Sequence, residues 1–180
     1  MLTNILLGIA AIVVLLVIVF VIVVAMRPAD FRIARRATIA VPAAAVFPHV
    51  NEFSKWRAWS PWENLDPDLK RTYEGPAAGK GASYHWVGNP KVGEGRMTIT
   101  ESRPAELVQI RLEFLKPFQA TNVAEFAFAP AGKETQVTWT MTGHNNFMAK
   151  AFSLLMNMDR LLGGEFEKGL AKLKSVAENK

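Results

Sequence analysis

Hydrophobic and polar positions change rhythm twice along this chain. Residues 5–26, ILLGIAAIVVLLVIVFVIVVAM, are apolar without interruption and contain neither charge nor proline. At about 1.5 Å per residue such a run crosses a hydrocarbon core of about 30 Å, and it reads as a membrane-spanning helix. Between residues 31 and 142 several short runs alternate apolar and polar residues, the period of half-buried strands, with turns and one short helical stretch among them. From 147 to 177 the large apolar residues Phe152, Leu155, Met158 or Leu162, Phe166, Leu170 and Leu173 recur at three- and four-residue steps, which predicts one long amphipathic helix.

The alternating region resolves into strands and turns. Residues 31–39 fit a first strand, ended by Val41-Pro42, and Pro42 suits the first turn of a short helix over 43–53. Residues 69–73 and 82–87 read as a strand pair. Four more strands carry Met97 and Ile99; Val108, Ile110, Leu112 and Phe114; Ala124, Phe126 and Phe128; and Val137, Trp139 and Met141. Pro104, Pro117 and Pro130-Ala131-Gly132 punctuate them as hairpin connections, so neighbours pair antiparallel. The expected fold is α+β: a curved antiparallel sheet of about seven strands, oily on one face and wet on the other, wrapped on the C-terminal helix. Gly163 and Gly164 interrupt that helix at a cost of about 1 kcal/mol each relative to Ala, which predicts a kink or a close approach by a neighbouring strand, with a ligand pressed against bare backbone as the rival. Trp56, Trp59 and Trp62, at three-residue spacing before a turn, read as a satellite packing cluster, with an aromatic ligand gate as the rival.

Charge and composition sharpen the division. The first 26 residues carry no charged side chain, so the net charge of +5 belongs to residues 27–180. The expected organisation is an anchor over 1–26 and one domain over 27–180. A cleaved signal peptide is the rival for the first segment, but no Lys or Arg precedes the apolar run and the run exceeds the usual core of about 7 to 15 residues. Arg27, Arg32, Arg35 and Arg36 come after the span, which favours a cytoplasmic domain on a single-pass membrane protein. Without a dense basic stripe or a nucleic-acid-binding motif, the positive charge suits anionic lipid, and no nucleic-acid partner is expected. The chain has no cysteine, which excludes disulfides, thiolate catalysis and cysteine-ligated metal. His49, His85 and His144 lack metal-ligand spacing, and neither a metal nor a cofactor is expected. The Gly-rich turn over 88–95 lacks the Lys-Ser/Thr of a nucleotide cradle and leads into a strand.

WRAWSPWENLDP at 56–67, YEGP at 73–76, YHWVGN and VGEGRMTI over 84–99, the Thr138-Trp139 strand ending in Gly143, and MNMDRLLGGEFEKGLAKLK at 156–174 carry a family resemblance. Together they span most of residues 31–177 and resemble the START-like, Bet v 1-like helix-grip superfamily, also labelled SRPBCC or polyketide cyclase/dehydrase and lipid transport. The resemblance implies a hydrophobic cavity between sheet and helix. On strand alternation and the helix stripe, Trp86, Met97, Phe114, Phe126, Phe128, Trp139, Met141, Met158, Leu162 and Phe166 are its expected lining, with Phe152 and Met156 added from the helix. The expected partner is an apolar small molecule or lipid. A filled core serving a membrane-tethered interaction module is one alternative reading. A cyclase/dehydrase-like enzyme acting on an aromatic or polyketide-like substrate is the other, with Asp159, Tyr84 and His85 as its candidates. Asp159 falls at helical spacing on or beside the buried stripe. There it serves either as a desolvated acid or, the favoured expectation, as a paired structural anchor, for example to Arg57 or a Trp N–H. Tyr84 and His85 point to opposite faces of one strand.

Overall fold

A computed structural model describes residues 2–179, and the side chains of all of these except Leu2 and Leu155. The elements in order are α1 (Leu2–Met26), β1 (Asp30–Ile39), α2 (Ala43–Asn51), a 3-10 turn (Phe53–Ala58), β2 (Lys70–Glu74), β3 (Ser83–Val87), β4 (Glu94–Arg103), β5 (Leu107–Lys116), β6 (Ala120–Ala131), β7 (Glu134–His144), α3 (Phe147–Leu155) and α4 (Met158–Glu178). The seven strands form one open sheet in the order β1-β7-β6-β5-β4-β3-β2. Each strand from β2 to β7 pairs antiparallel with the next, as short connections dictate. Strand β1, first in the chain, lies beside β7, the last.

Two compact units divide the chain. In one, α1 and the residues on to Phe31 join His144–Asn157; the other takes Arg32–Gly143 and the chain from Met158 onward. In the first, the Lys150 ammonium on α3 donates to the carbonyls of Ala25 (2.9 Å) and Arg27 (3.1 Å), so a cation sits where the last carbonyls of α1 lack helical partners. The Asn145 amide donates to the Ala29 carbonyl at 2.7 Å, and His144 Nδ1 lies 2.9 Å from Asp30 Oδ1. Among the described residues, Thr3–Met26 is the one helical stretch long and apolar enough to cross a membrane, a test that a signal sequence also passes.

In the second unit the inner face of the sheet carries the alternating apolar residues, and α4 adds Gly163, Phe166, Gly169, Leu170 and Leu173 to the buried interior. Strand β1, at the sheet edge, is held by α4. Lys174 donates to the Thr38 carbonyl at 2.9 Å, and the Ala40 amide just past the strand donates to Glu178 at 2.6 Å. Covering an edge strand in this way leaves fewer of its polar groups open to pairing with another chain.

The predicted single C-terminal helix is in fact two. Met156 adopts extended backbone (φ −129°, ψ 131°) and ends α3, and α4 begins at Met158. The apolar spacing continues across the break, which is why it reads as one helix. Phe152 and Met156, expected to line the interior, are 59% and 42% exposed, while the side chain of Leu155 lies outside the described residues. The two adjacent glycines separate in role. A Cβ on Gly163 would strike the Arg35 guanidinium of β1, whereas one on Gly164 would meet nothing within 4 Å among the described residues. The close approach of a strand residue therefore accounts for Gly163.

Candidate functional site

The interior between sheet and α4 is built around Trp139. Strand register sets Trp139 of β7 directly opposite Phe126 of β6, and their rings stack with centroids 4.8 Å apart. Phe166 of α4 also stacks on Trp139, 4.2 Å away at an interplanar angle of 5°. Trp59 and Trp62 meet Trp139 edge-on at 5.7 and 5.6 Å, and Trp56 does so at 6.4 Å. The tryptophans predicted to form a satellite cluster therefore belong to the main core. Their three-residue spacing in a tight 3-10 turn and its continuation delivers successive rings to the same side. The N–H groups of Trp56 and Trp59 donate to the carbonyls of Val50 and His49, each at 2.9 Å, so both buried rings have their polar atom satisfied.

Trp139 differs. It is 2% exposed, and its Nε1 has no hydrogen-bond partner among the described residues. The stacked partners cover ring face, while the N–H lies in the ring plane at an edge. A buried donor left unpaired costs roughly 1–3 kcal/mol. The backbone of α4 comes close to the same ring: a Cβ on Gly169 would lie 2.8 Å from Trp139 Cζ3 and 3.1 Å from Pro61 Cδ.

A polar cluster adjoins the aromatic run on the β2–β3 side. The Tyr84 hydroxyl donates to Glu63 Oε1 at 3.1 Å, and the Arg71 guanidinium holds Glu63 Oε2 at 2.8 Å from Nε and 2.7 Å from its terminal nitrogen. Tyr73 stacks on Tyr84 at 5.3 Å, Phe53 and Trp86 each lie 6.0 Å from Tyr84, and Phe114 meets Trp86 edge-on. Burial, with the Glu63 carboxylate next in importance, pushes the Tyr84 phenol well above its ordinary range. It stays protonated near neutrality and acts as a hydrogen-bond donor, not as a base. Glu63 is absent from the sequence-based candidates, because ENLDP has the composition of a solvated turn. No local pattern marks it, because the partners that hold it, Arg71 and Tyr84, lie 8 and 21 residues further along the chain.

Of the expected lining, Trp86, Met97, Phe126, Phe128, Trp139, Met141 and Phe166 are buried, while Phe114 and Met158 are half-buried, as is Leu162. At the centre the aromatic side chains pack on one another. The three residues weighed for catalysis are not brought together. Tyr84 points inward to Glu63, and His85 faces the opposite way, 3.4 Å from Glu94. Asp159 is at the other end of the sheet. It binds Arg35 of β1, and β1 lies five strand steps from β3, about 24 Å along the sheet at ~4.8 Å a step.

The reading of Asp159 as a residue of the buried stripe needs correction. It is in helical phase with Gly163 and Phe166, but it stands in the first turn of α4 and its side chain is 61% exposed. Its partner is Arg35 (2.9 Å), not Arg57 or an indole. The hydrogen bonds from Arg35 hold its carboxyl below the usual range, the opposite of a desolvated acid. Arg35 also binds Glu167 at 2.7 Å. Asp159, Gly163 and Glu167 stand at four-residue steps, so the guanidinium lies against bare helix backbone with a carboxylate on either side. Among the described residues no cluster of three or more metal-ligating side chains occurs.

Comparison with known proteins places this geometry. The family model described as "Polyketide cyclase / dehydrase and lipid transport" matches residues 30–178. Among curated proteins no sequence match is found. Solved structures share the fold at low identity. Protein CV1439 from Chromobacterium violaceum aligns at 12% identity and a TM-score of 0.59, covering 86% of this chain and 100% of its own. Ara h 8.0201 aligns at 11% identity and a TM-score of 0.57, covering 84% and 99%. SA2116 from Staphylococcus aureus aligns at 12% identity and a TM-score of 0.60, covering 83% and 95%. With a seven-stranded antiparallel sheet, a C-terminal helix against its inner face and a family match over nearly all of both, this chain belongs to the polyketide cyclase/dehydrase and lipid-transport family.

Proposed function

We propose that this protein is a membrane-anchored carrier or receptor in which residues 27–180 bind an apolar small molecule or lipid between the sheet and α4. Residues 1–26 are its anchor, and the domain faces the cytoplasm. The observation that carries the reading is the Trp139 N–H, a buried donor with no acceptor among the described residues, set amid aromatic and methionine side chains. A ligand whose apolar body replaces ring-on-ring contact and whose carbonyl, ester or hydroxyl oxygen accepts from Nε1 would recover what the unpaired donor loses. The half-buried Phe114, Met158 and Leu162 are the expected lining residues with surface left to cover.

Membership in the family supports the ligand class, since its description joins cyclase/dehydrase chemistry to lipid transport. Binding without catalysis is favoured because the buried phenol of Tyr84 is committed to Glu63 and the carboxylate of Asp159 is ion-paired at the surface. Extracting the full chain in mild detergent and recording its native mass tests the proposal. An apolar molecule should accompany the protein and be released on denaturation, and Trp139→Phe should lower its occupancy. Protein that carries no molecule and takes up no apolar fluorescent probe would leave the filled-core reading.

A further inference from the structure

Helix α3 carries an apolar face that is exposed among the described residues. Phe147, Met148 and Phe152 are 44%, 67% and 59% exposed, and Met156 just beyond the helix is 42% exposed. At 100° per residue Phe147, Met148, Ala151 and Phe152 share one side of the helix, and Lys150 projects from another. In water, exposed Phe and Met at this density on a nine-residue helix have no favourable partner.

The position of α3 identifies what covers that face. Lys150 donates to the carbonyls of Ala25 and Arg27, so α3 is fixed to the point where the apolar run of α1 ends and the first charge of the chain appears. Met26, at that same point, is 81% exposed. With α1 in a bilayer, the end of the run lies at the boundary between acyl chains and headgroups. A helix bound there by its lysine lies in the same layer. Arg27 and Lys150 are basic, as suits a headgroup region that contains anionic lipid.

We infer that α3 is an interfacial helix, with Phe147, Met148 and Phe152 seated among the lipids of the leaflet from which the domain emerges. The inference rests on the anchor reading of α1. It makes the span and α3 one membrane-binding unit, joined by Lys150. An apolar face of this kind sinks about 5–10 Å into the headgroup and acyl boundary.

The absence of native cysteine makes the test direct. Val14→Cys, Met148→Cys, Phe152→Cys and Lys133→Cys are made singly in the full chain, labelled with an environment-sensitive fluorophore and reconstituted into vesicles of phosphatidylcholine and phosphatidylglycerol. All four sites are exposed, so the label touches no core. Lipids with a spin-label quencher near the headgroup should quench the labels at 148 and 152, whose emission should also be blue-shifted, and lipids with a deep quencher should quench the label at 14. The label at 133, in the β6–β7 turn of the other unit, supplies the reference level that the labels at 148 and 152 should exceed. Labels at 148 and 152 that behave like the one at 133 while position 14 is quenched would overturn the interfacial helix and leave the anchor intact. An unquenched label at 14 would remove the anchor reading and this inference with it.

Discussion

Trp139 and Phe166 lie face to face, with centroids 4.2 Å apart and planes 5° from parallel, and through this contact α4 is fixed on the sheet. Trp139 is 2% exposed and Phe166 0%, so the pair is a structural joint as well as part of the proposed ligand wall. Phe166→Ala should therefore destabilise the domain by about 3–5 kcal/mol, the usual cost of emptying a buried aromatic site, read by chemical denaturation of the full chain in detergent. A cost well under ~1 kcal/mol would mean that α4 is held elsewhere.

The glycines of α4 give a prediction whose sign changes with position. Gly164→Ala meets open space and should stabilise the helix by about 0.5–1 kcal/mol. Gly169→Ala sets a methyl 2.8 Å from the Trp139 ring and 3.1 Å from Pro61. Overpacking of this kind typically costs about 1–3 kcal/mol and should exceed the gain in helix propensity. Thermal melts of the two variants beside the parent check the contrast.

The buried Tyr84–Glu63–Arg71 cluster predicts an alkaline response. Only two tyrosines occur, Tyr73 and Tyr84, and burial raises both above the ordinary 10.0. A phenol with a raised folded pKa contributes stability that is full below the unfolded value and declines as pH climbs from there through the folded value. Phenolate absorbance should lag behind that of the denatured chain above the ordinary value of 10.0 and rise together with loss of native circular dichroism. Tyr84→Phe, which leaves Glu63 short of one donor, should cost about 1–3 kcal/mol at neutral pH.

Arg35 carries the clasp between β1 and α4, and both of its carboxylate partners are exposed. Asp159→Asn should lower the melting temperature slightly, with a difference that shrinks as salt is added and no change in uptake of an apolar probe. Its depressed folded pKa means that the pair stabilises the protein above the ordinary carboxylate value of 3.8 and loses that effect as pH falls through the lower, folded one. Abolished product formation at unchanged stability would instead revive Asp159 as a catalytic acid.

Orientation is tested by fusions after Lys180. A fluorescent-protein fusion should be bright and an alkaline-phosphatase fusion inactive; the reverse pattern would invert the topology. The arginine bias behind this expectation is weaker in the folded protein than in the sequence, because Arg32, Arg35 and Arg36 are strand residues and Arg35 is ion-paired to α4.

The strands were legible because each buries one face, and alternation then marks inward residues such as Ile110, Phe126 and Trp139 one by one. What periodicity could not show is where a helix stops. Phe152 and Met156 continue the spacing of Phe166 and Leu170, yet the extended backbone at Met156 separates them, and the apolar face of α3 is left exposed. Phase placed Asp159 on the right side of α4 without revealing that the first turn of that helix is open to solvent. Glu63 was hidden because a buried carboxylate depends on Arg71 and Tyr84, partners 8 and 21 residues away whose proximity only the folded sheet creates.

Whether an apolar ligand is held beside Trp139 is tested most directly by probe uptake and thermal stability of Met141→Trp, measured together. Met141 is buried at a cross-strand pair with Ala124, next to the Phe126–Trp139 pair. If a ligand occupies the interior, the larger ring takes its place: the protein should keep its melting temperature, lose the co-purifying molecule and no longer take up an apolar fluorescent probe that the parent binds. If the interior is already full, the same substitution should cost about 1–3 kcal/mol, in a protein whose parent never bound the probe, and that result would contradict the ligand-carrier reading.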